Sequence, residues 1–321
     1  MVSNKKLTSK KVVFTIIVAF LVLTIISFGI TKIVYDSSFG RYDCYRNPLA
    51  EPLQKMVNSR TEKSYFSGKN RLSGYLYKSN AANKRDALIV IAPGHNSCAD
   101  GYLWQTHALL ELGWSVFAFD ATGCCKSEGE SAVGFSQEIL DLTETLNFIE
   151  NEARFGYNDI VLLGHSMGGY AVCCALKYDY DIAAAISVSG INSAMEGTIG
   201  AAASYVGPLA YGNYGMLWLY QSMLFGSEMV NLRADKIISS TDTPVLLVHG
   251  ENDTVVPYKK YSIISHKEEI TNNNIEYIVR RSPKNAEHND ILFDDDGTAN
   301  DELMGQINQF LEKQLGEKEE N

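Results

Sequence analysis

Residues 159–169 read DIVLLGHSMGG, a short apolar run that leads into Gly164-His165-Ser166-Met167-Gly168. This spacing suits a strand that turns sharply into a helix, because the serine backbone is strained at the turn and the packed helix leaves no room for side chains at Gly164 and Gly168. The helix that begins at Met167 directs its free N–H groups towards the serine oxygen, where they favour an oxyanion. The pattern therefore predicts that Ser166 is a nucleophile for acyl transfer.

A serine hydroxyl needs a base, and the base needs an orienting acid. Residues 244–249 read as a buried strand, and Asp253 lies in the loop that follows. We predict that Asp253 is the orienting acid. Glu251 and Asp290 are alternatives, but both are interpreted as solvated loop charges.

The predicted base is His288. Residues 275–279 read as a further strand, and the loop after it, residues 282–288, ends in this histidine. An imidazole here could take the proton of Ser166, while the carboxylate holds the ring in the required tautomer.

Four other histidines have different interpretations. His165 lies inside the turn and His249 ends a strand, so both are expected to have structural roles. His107 precedes the serine, which is the wrong chain order for the base. His266 follows the acid, but helical patterning over residues 258–267 would place it on an outer helix.

These residues resemble the α/β-hydrolase family. The resemblance rests on the turn around Ser166, on residues 249–257 (HGENDTVVP), on the loop ending in His288 and on residues 116–129, which look like the family's strand ending in an acid before a Gly/Ser-rich turn. It covers about residues 65–315 and is greatest with membrane-anchored bacterial lipases, esterases and aminopeptidase-like enzymes. It implies an α/β fold with a mostly parallel, doubly wound sheet and a helical cap.

The family's first oxyanion loop usually reads His-Gly after a strand, whereas here residues 87–92 lead into Pro93-Gly94-His95. The match at Gly94 implies that the backbone N–H of His95 is one oxyanion donor and that of Met167 the other. A main-chain donor depends on the shape of the loop, so Pro93 need not remove it.

The remaining sequence fits one α/β domain with predicted strands between turn and helix patterns. These strands lie near residues 72–77, 87–92, 115–120, 159–164, 183–189, 244–249 and 275–279, and a long helix is predicted over residues 135–152. Residues 35–64 form a lead-in without a clear period, and residues 316–321 form a charged tail.

The predicted cap occupies about residues 191–240, an insertion too long for an ordinary connection. It is rich in aromatic and apolar residues, which permits three interpretations. They could bind an apolar part of the substrate, bury the cap helices against the body, or rest on a lipid surface.

Residues 12–31 carry no charge and are long enough to cross a bilayer. We interpret residues 12–34 as an uncleaved transmembrane helix, because the apolar run exceeds that of a signal peptide and no Ala-x-Ala-like site follows. A lipid-modified Cys44 is disfavoured by its polar surroundings. The lysines of the basic segment 1–11 outnumber the cations after the span, which predicts a cytoplasmic N-terminus and an extracytoplasmic catalytic domain.

Net charge and cysteine spacing limit the partners and cofactors that this protein can be expected to bind. Without residues 1–34, which hold five lysines and no acidic residue, the formal net charge changes from −10 to −15, which disfavours nucleic acid as a partner. The six cysteines show no metal spacing, and the serine mechanism implies neither a metal nor an organic cofactor. A bridge from Cys98 to Cys124 or Cys125 is conceivable, because their loops leave the same edge of a parallel sheet.

The sequence therefore predicts a membrane-anchored serine hydrolase that cleaves carboxylic esters of a small-molecule or lipid-like acyl substrate. A peptidase, an amidase or an acyltransferase would use the same three residues, and a non-catalytic surface-binding module would retain only the fold.

Overall fold

The computed structural model describes residues 2–43, 49–281 and 284–316. An eight-stranded sheet forms its centre in the order β1-β2-β4-β3-β5-β6-β7-β8. β1 and β2 are antiparallel to their neighbours, while β3 to β8 run parallel. The strands are β1 Thr61–Ser67, β2 Asn70–Tyr77, β3 Ala87–Ala92, β4 Ser115–Asp120, β5 Asp159–His165, β6 Ile182–Val188, β7 Val245–Gly250 and β8 Ile275–Arg280.

Helices cover both faces of this sheet. The α-helices of the described residues are α1 Val2–Ser38, α2 Glu51–Ser59, α3 Leu103–Glu111, α4 Phe135–Asn151, α5 Met167–Ala175, α6 Ala194–Val206, α7 Tyr214–Phe225, α8 Ser227–Val230, α9 Ala234–Ile238 and α10 Asp301–Gly316. Of these, α1 packs on α7 and its apolar run does not cover the sheet. The core has two parts, one beneath α4, α5 and the cap, the other beneath α2, α3 and α10. Strands buried on both faces are mostly apolar: β3 is apolar and fully buried along its length, and β7 is fully buried and apolar up to His249.

The predicted α/β-hydrolase fold is confirmed, and all seven predicted strands are present. The sequence interpretation missed α2, which lies within the lead-in 35–64, and β1, which begins there. β1 forms a hairpin with β2, and the chain turns at Gly68, whose φ of +55° favours glycine. This hairpin extends the sheet at its antiparallel edge, away from the catalytic candidates.

The cap region contains α6 to α9, with a 3-10 helix over Gly207–Asn213 between α6 and α7. α7 packs along α1 and runs in the same direction, since Asn213 contacts Ser27 while Tyr220 contacts Lys32 further along α1. α1 itself is continuous from Val2 to Ser38, so it includes the predicted span and continues beyond it. The segment Lys10–Ser38 is long and apolar enough to cross a membrane.

The conceivable bridge from Cys98 is absent. Cys98 and Cys124 are free thiols, whereas Cys125 is disulfide-bonded. Cys98 lies close to Cys125, but that sulfur is already bonded. The predictions for Cys44, for residues 282 and 283 of the His288 loop and for most of the tail, residues 317–321, concern residues outside the described ranges.

Candidate active site

The turn between β5 and α5 has the strained geometry that the sequence predicts. Ser166 adopts φ +56° and ψ −114°, a conformation that non-glycine residues rarely adopt. A Cβ atom on Gly164 would lie 2.2 Å from the carbonyl oxygen of Gly168, and one on Gly168 would lie 2.1 Å from that of Ala92. Both glycines are therefore required by close backbone approach, and they hold the serine at the carboxyl end of β5.

The structure brings Ser166, His288 and Asp253 together from three loops at the same edge of the sheet. The Oγ atom of Ser166 lies 2.9 Å from Nε2 of His288, and Nδ1 of His288 lies 2.7 Å from Oδ2 of Asp253. Because a carboxylate only accepts hydrogen bonds, Nδ1 carries the proton and Nε2 is left to accept the serine hydroxyl. In this tautomer the imidazole can remove the serine proton.

Asp253 is held as a carboxylate by several donors. The backbone N–H groups of Val255 and Val256 donate to Oδ1 at 2.9 and 2.7 Å. The Nε2 atom of His249 lies 3.1 Å from Oδ2 of Asp253 and 2.9 Å from the carbonyl oxygen of Val256. Because both of these oxygens accept hydrogen bonds, this nitrogen must carry a proton. Burial opposes ionisation, but the hydrogen bonds from His249 and His288 outweigh it and lower the pKa of Asp253.

His165 links the nucleophile turn to the two neighbouring loops. Its Nε2 lies 3.0 Å from the carbonyl oxygen of His288, so it donates there, and its Nδ1 accepts from the hydroxyl of Tyr102 at 3.2 Å. The same hydroxyl accepts the backbone N–H of Gly94 at 2.8 Å. Burial lowers the pKa of His165 to about 3, so the ring is neutral at physiological pH. One hydrogen-bonded chain thus joins the loop after β3 to the loop that carries His288.

The candidate oxyanion donors are the backbone N–H groups of Met167 and His95. Met167 is the first residue of α5, so its N–H has no acceptor within the helix. His95 follows Gly94, at which a Cβ would lie 3.3 Å from the carbonyl oxygen of His165. The side chain of His95 points to the residue after the end of α1. Its ring and the ring of Phe39 form an edge-to-face pair with their centroids 5.0 Å apart. Burial lowers the pKa of His95, and a hydrogen bond to the Ser38 backbone opposes this.

The rival residues lie elsewhere. His107 is in α3 beside Trp104. His266 is in a 3-10 helix over Ile263–Glu269, not in the predicted α-helix, and its Nδ1 lies 3.3 Å from Oε1 of Glu269. Asp290 and Glu251 are exposed, and Glu251 lies 3.4 Å from Arg281.

Asp120, which ends β4, supports loops instead of facing the serine. Its carboxylate accepts hydrogen bonds from the hydroxyl of Tyr75 and the backbone N–H groups of Ala99 and Lys126 at 2.8 to 3.2 Å. The buried thiols are also poor rivals, because burial raises the pKa of Cys98 and Cys173 to about 12.

Sequence reasoning assigned His165 and His249 to structural roles but did not identify their partners, and it missed Tyr102 altogether. The signal for His249 was present, since it lies in the same short segment as Asp253. The contact of Tyr102 joins residues that are far apart in sequence, and no local pattern marks it.

Comparison with known proteins shows similarity to hydrolases. Residues 83–206 match the family model Hydrolase_4, described as serine aminopeptidase, S33. The lysophosphatidylserine lipase ABHD12 of Danio rerio is 23% identical over 176 residues, which cover 53% of this chain and 44% of that relative. The chain thus spans less than half the length of the curated relative that it matches.

Solved structures show the same fold at low identity. The Pyrococcus furiosus esterase Pf2001 superposes with a TM-score of 0.63 and 20% identity, covering 86% of this chain and 98% of that one. Est1E of Butyrivibrio proteoclasticus, solved with ferulic acid, gives a TM-score of 0.57 and 17% identity, covering 81% of this chain and 100% of that one. The chain is an α/β-hydrolase by fold, and its similarities lie with the esterases, lipases and serine hydrolases of that fold.

Proposed function

We propose that this protein is a membrane-anchored serine hydrolase that cleaves carboxylic esters through an acyl-enzyme. The observation that carries the proposal is the unbroken row of hydrogen bonds from Asp253 through His288 to Ser166, with distances of 2.7 and 2.9 Å. A strained serine, an imidazole and a buried carboxylate in this order form the apparatus that acyl transfer requires.

In the proposed reaction Ser166 Oγ attacks the ester carbonyl while Nε2 of His288 takes its proton. Asp253 stabilises the imidazolium that results. The backbone N–H groups of His95 and Met167 donate to the oxyanion of the tetrahedral intermediate. His288 then protonates the leaving alcohol, and a water molecule, deprotonated by the same nitrogen, releases the acid from Ser166.

The proposed location follows from α1. Lys5, Lys6, Lys10 and Lys11 precede the uncharged run, and three cations, Lys32, Arg41 and Arg46, follow it within 15 residues, which favours a cytoplasmic N-terminus and an extracytoplasmic catalytic domain. The substrate is proposed to be a lipid-like ester. This proposal is supported by the apolar cap and by the lipase activity that is named for the Danio rerio relative.

A peptidase or amidase is the second candidate, because the matching family model describes serine aminopeptidases. Ester and amide hydrolysis use the same three residues and differ in the leaving group that His288 must protonate. An ester and an amide that carry the same acyl group form a matched pair of substrates that separates the two functions. The ester proposal predicts that kcat/KM is higher for the ester by more than the ratio of the uncatalysed rates.

The primary test is covalent labelling of the full-length protein in detergent micelles by a fluorophosphonate probe. We expect labelling of the wild type, none of Ser166→Ala, and strongly reduced labelling of His288→Ala. His266→Ala is the matched control, since this partly buried histidine pairs with Glu269 and not with Asp253, and it should label like the wild type. A folded wild type that does not react with the probe would refute the hydrolase proposal and favour a binding module.

A further inference from the structure

The cap has an exposed surface of a composition that is unusual for this protein. No charged residue occurs between Glu196 and Glu228, although the chain carries a formal net charge of −10. Within this segment the large side chains around the 3-10 helix Gly207–Asn213 face outward. We call them the cap tip: Tyr205 is 89% exposed, Leu209 81%, Val206 55%, Tyr214 46% and Tyr211 42%. Soluble surfaces rarely group such residues, and a grouped patch marks an interaction surface.

The contacts between the cap and α1 fix where this patch lies relative to the apolar helix. Asn213 ends the 3-10 helix of the cap tip, accepts the hydroxyl of Ser27 at 2.6 Å and donates to the hydroxyl of Thr31. Further along, the hydroxyl of Tyr220 pairs with Lys32 and Asp36. The tip thus lies beside the last uncharged turn of α1, and the charged groups of this interface lie beyond it.

Helix geometry and these contacts together give the depth of Asn213 in a bilayer that α1 crosses. The uncharged run 12–31 is about 30 Å long at about 1.5 Å per residue, which equals the hydrocarbon thickness of a bilayer. With Thr31 at the outer boundary of the hydrocarbon, Ser27 lies about 6 Å inside it along the helix axis. Asn213, which reaches both residues, must lie at this boundary or just within it.

The polar groups of the cap tip are compatible with that depth. An unpaired polar group in hydrocarbon costs several kcal/mol, so insertion requires that such groups be satisfied within the protein. Both ends of the Asn213 amide are paired with α1, and the hydroxyl of Tyr211 is paired with Tyr261 and with Lys260. Tyrosines and long lysines are also the residues that membrane proteins place at the interface with the head groups.

We propose that the cap tip is inserted into the outer leaflet of the bilayer that α1 crosses, and that the enzyme takes an amphiphilic ester directly from this leaflet. The second part rests on the proposed function, whereas the insertion does not. Phe39, which contacts the His95 loop, follows Thr31 by eight residues, so the candidate active site lies about 12 Å above the hydrocarbon boundary along α1. A substrate therefore passes the cap tip on its way from the leaflet to Ser166.

The test is a depth measurement on the full-length protein with the Ser166→Ala substitution, reconstituted in phosphatidylcholine vesicles. A nitroxide is attached to Leu209→Cys or, as the matched control, to Phe66→Cys, which replaces a 62% exposed side chain on β1 outside the cap. Molecular oxygen concentrates in hydrocarbon and a charged nickel chelate in water. We expect the label at position 209 to collide with oxygen at least fivefold more often, relative to the chelate, than the label at position 66.

Equal accessibility of the two labels would overturn the insertion, whatever the outcome of fluorophosphonate labelling. A second measurement tests delivery in the catalytically competent protein, using Leu209→Asp and Phe66→Asp. The rate on a long-chain ester embedded in vesicles, divided by the rate on a short water-soluble ester, should fall at least tenfold for Leu209→Asp and remain within twofold for Phe66→Asp. An unchanged ratio for Leu209→Asp would overturn the uptake of substrate from the leaflet.

Discussion

Replacing Tyr102 by phenylalanine removes one oxygen atom from the centre of the candidate active site. This hydroxyl accepts the N–H of Gly94 and donates to Nδ1 of His165, and all three groups are buried. Tyr102→Phe leaves a buried donor and a buried acceptor unpaired, at about 1–3 kcal/mol each. The hydroxyl itself no longer has to be desolvated, which offsets part of this loss. We expect the free energy of unfolding to fall by about 2–3 kcal/mol.

For a domain of this size, such a loss lowers the melting temperature by roughly 4–9 °C. Activity should fall as well, because Gly94 precedes the candidate oxyanion donor His95, and loss of one such donor costs about 100-fold to 1,000-fold in kcat. Since the loop is displaced and not removed, we expect a fall of at least about tenfold with KM little changed. The assays are thermal unfolding and ester hydrolysis by the full-length protein in one detergent.

Tyr205→Phe is the control for Tyr102→Phe, since it removes the same atom from a side chain that is 89% exposed. It should leave the melting temperature within about 1 °C of the wild type. The reasoning is refuted if Tyr102→Phe melts and hydrolyses like this control, because the hydrogen-bonded chain would then contribute neither stability nor loop position.

Three further predictions concern the orienting acid, the turn and pH. Asp253→Asn should lower kcat in steady-state ester hydrolysis by about 10,000-fold, and an effect below tenfold would contradict the role of the carboxylate. Gly168→Ala should reduce the folded yield in size-exclusion chromatography, because its Cβ would lie 2.1 Å from the carbonyl oxygen of Ala92; Gly212→Ala, with open space around it, should fold normally. The pKa of His165 falls from 6.5 to about 3 on folding, so only the unfolded state gains this proton as the pH drops. In urea titrations the wild type should lose about 2 kcal/mol more than His165→Gln between pH 7 and pH 5, and equal losses would contradict a buried neutral ring.

The parts of the site that are local in sequence could be predicted. The positions of Ser166, Asp253 and His288 follow from strands recognisable by their apolar runs, because the carboxyl ends of parallel strands converge at one edge of a sheet. The glycine spacing around the serine has a steric cause that follows from the sequence pattern itself, and the backbone distances at Gly164 and Gly168 agree with it.

Contacts between distant segments could not be predicted in this way. The pairing of Asn213 with Ser27 joins residues far apart in the chain, and neither residue stands in a pattern that suggests a partner. β1 was missed for a different reason: only Tyr65 and Ser67 of this edge strand are buried, so its alternation is too weak to distinguish it from a loop.

The continuity of α1 has a consequence for how the enzyme encounters its substrate. The helix passes from its uncharged run to the contact of Phe39 with the His95 loop without a flexible tether, and α7 is fastened along it. In a bilayer the catalytic domain then has one fixed height and diffuses only laterally. The enzyme and its substrate then meet only by diffusion in the plane of the membrane. The rate of hydrolysis should follow the mole fraction of ester in the membrane that holds the enzyme, and diluting the vesicles with buffer should leave turnover unchanged.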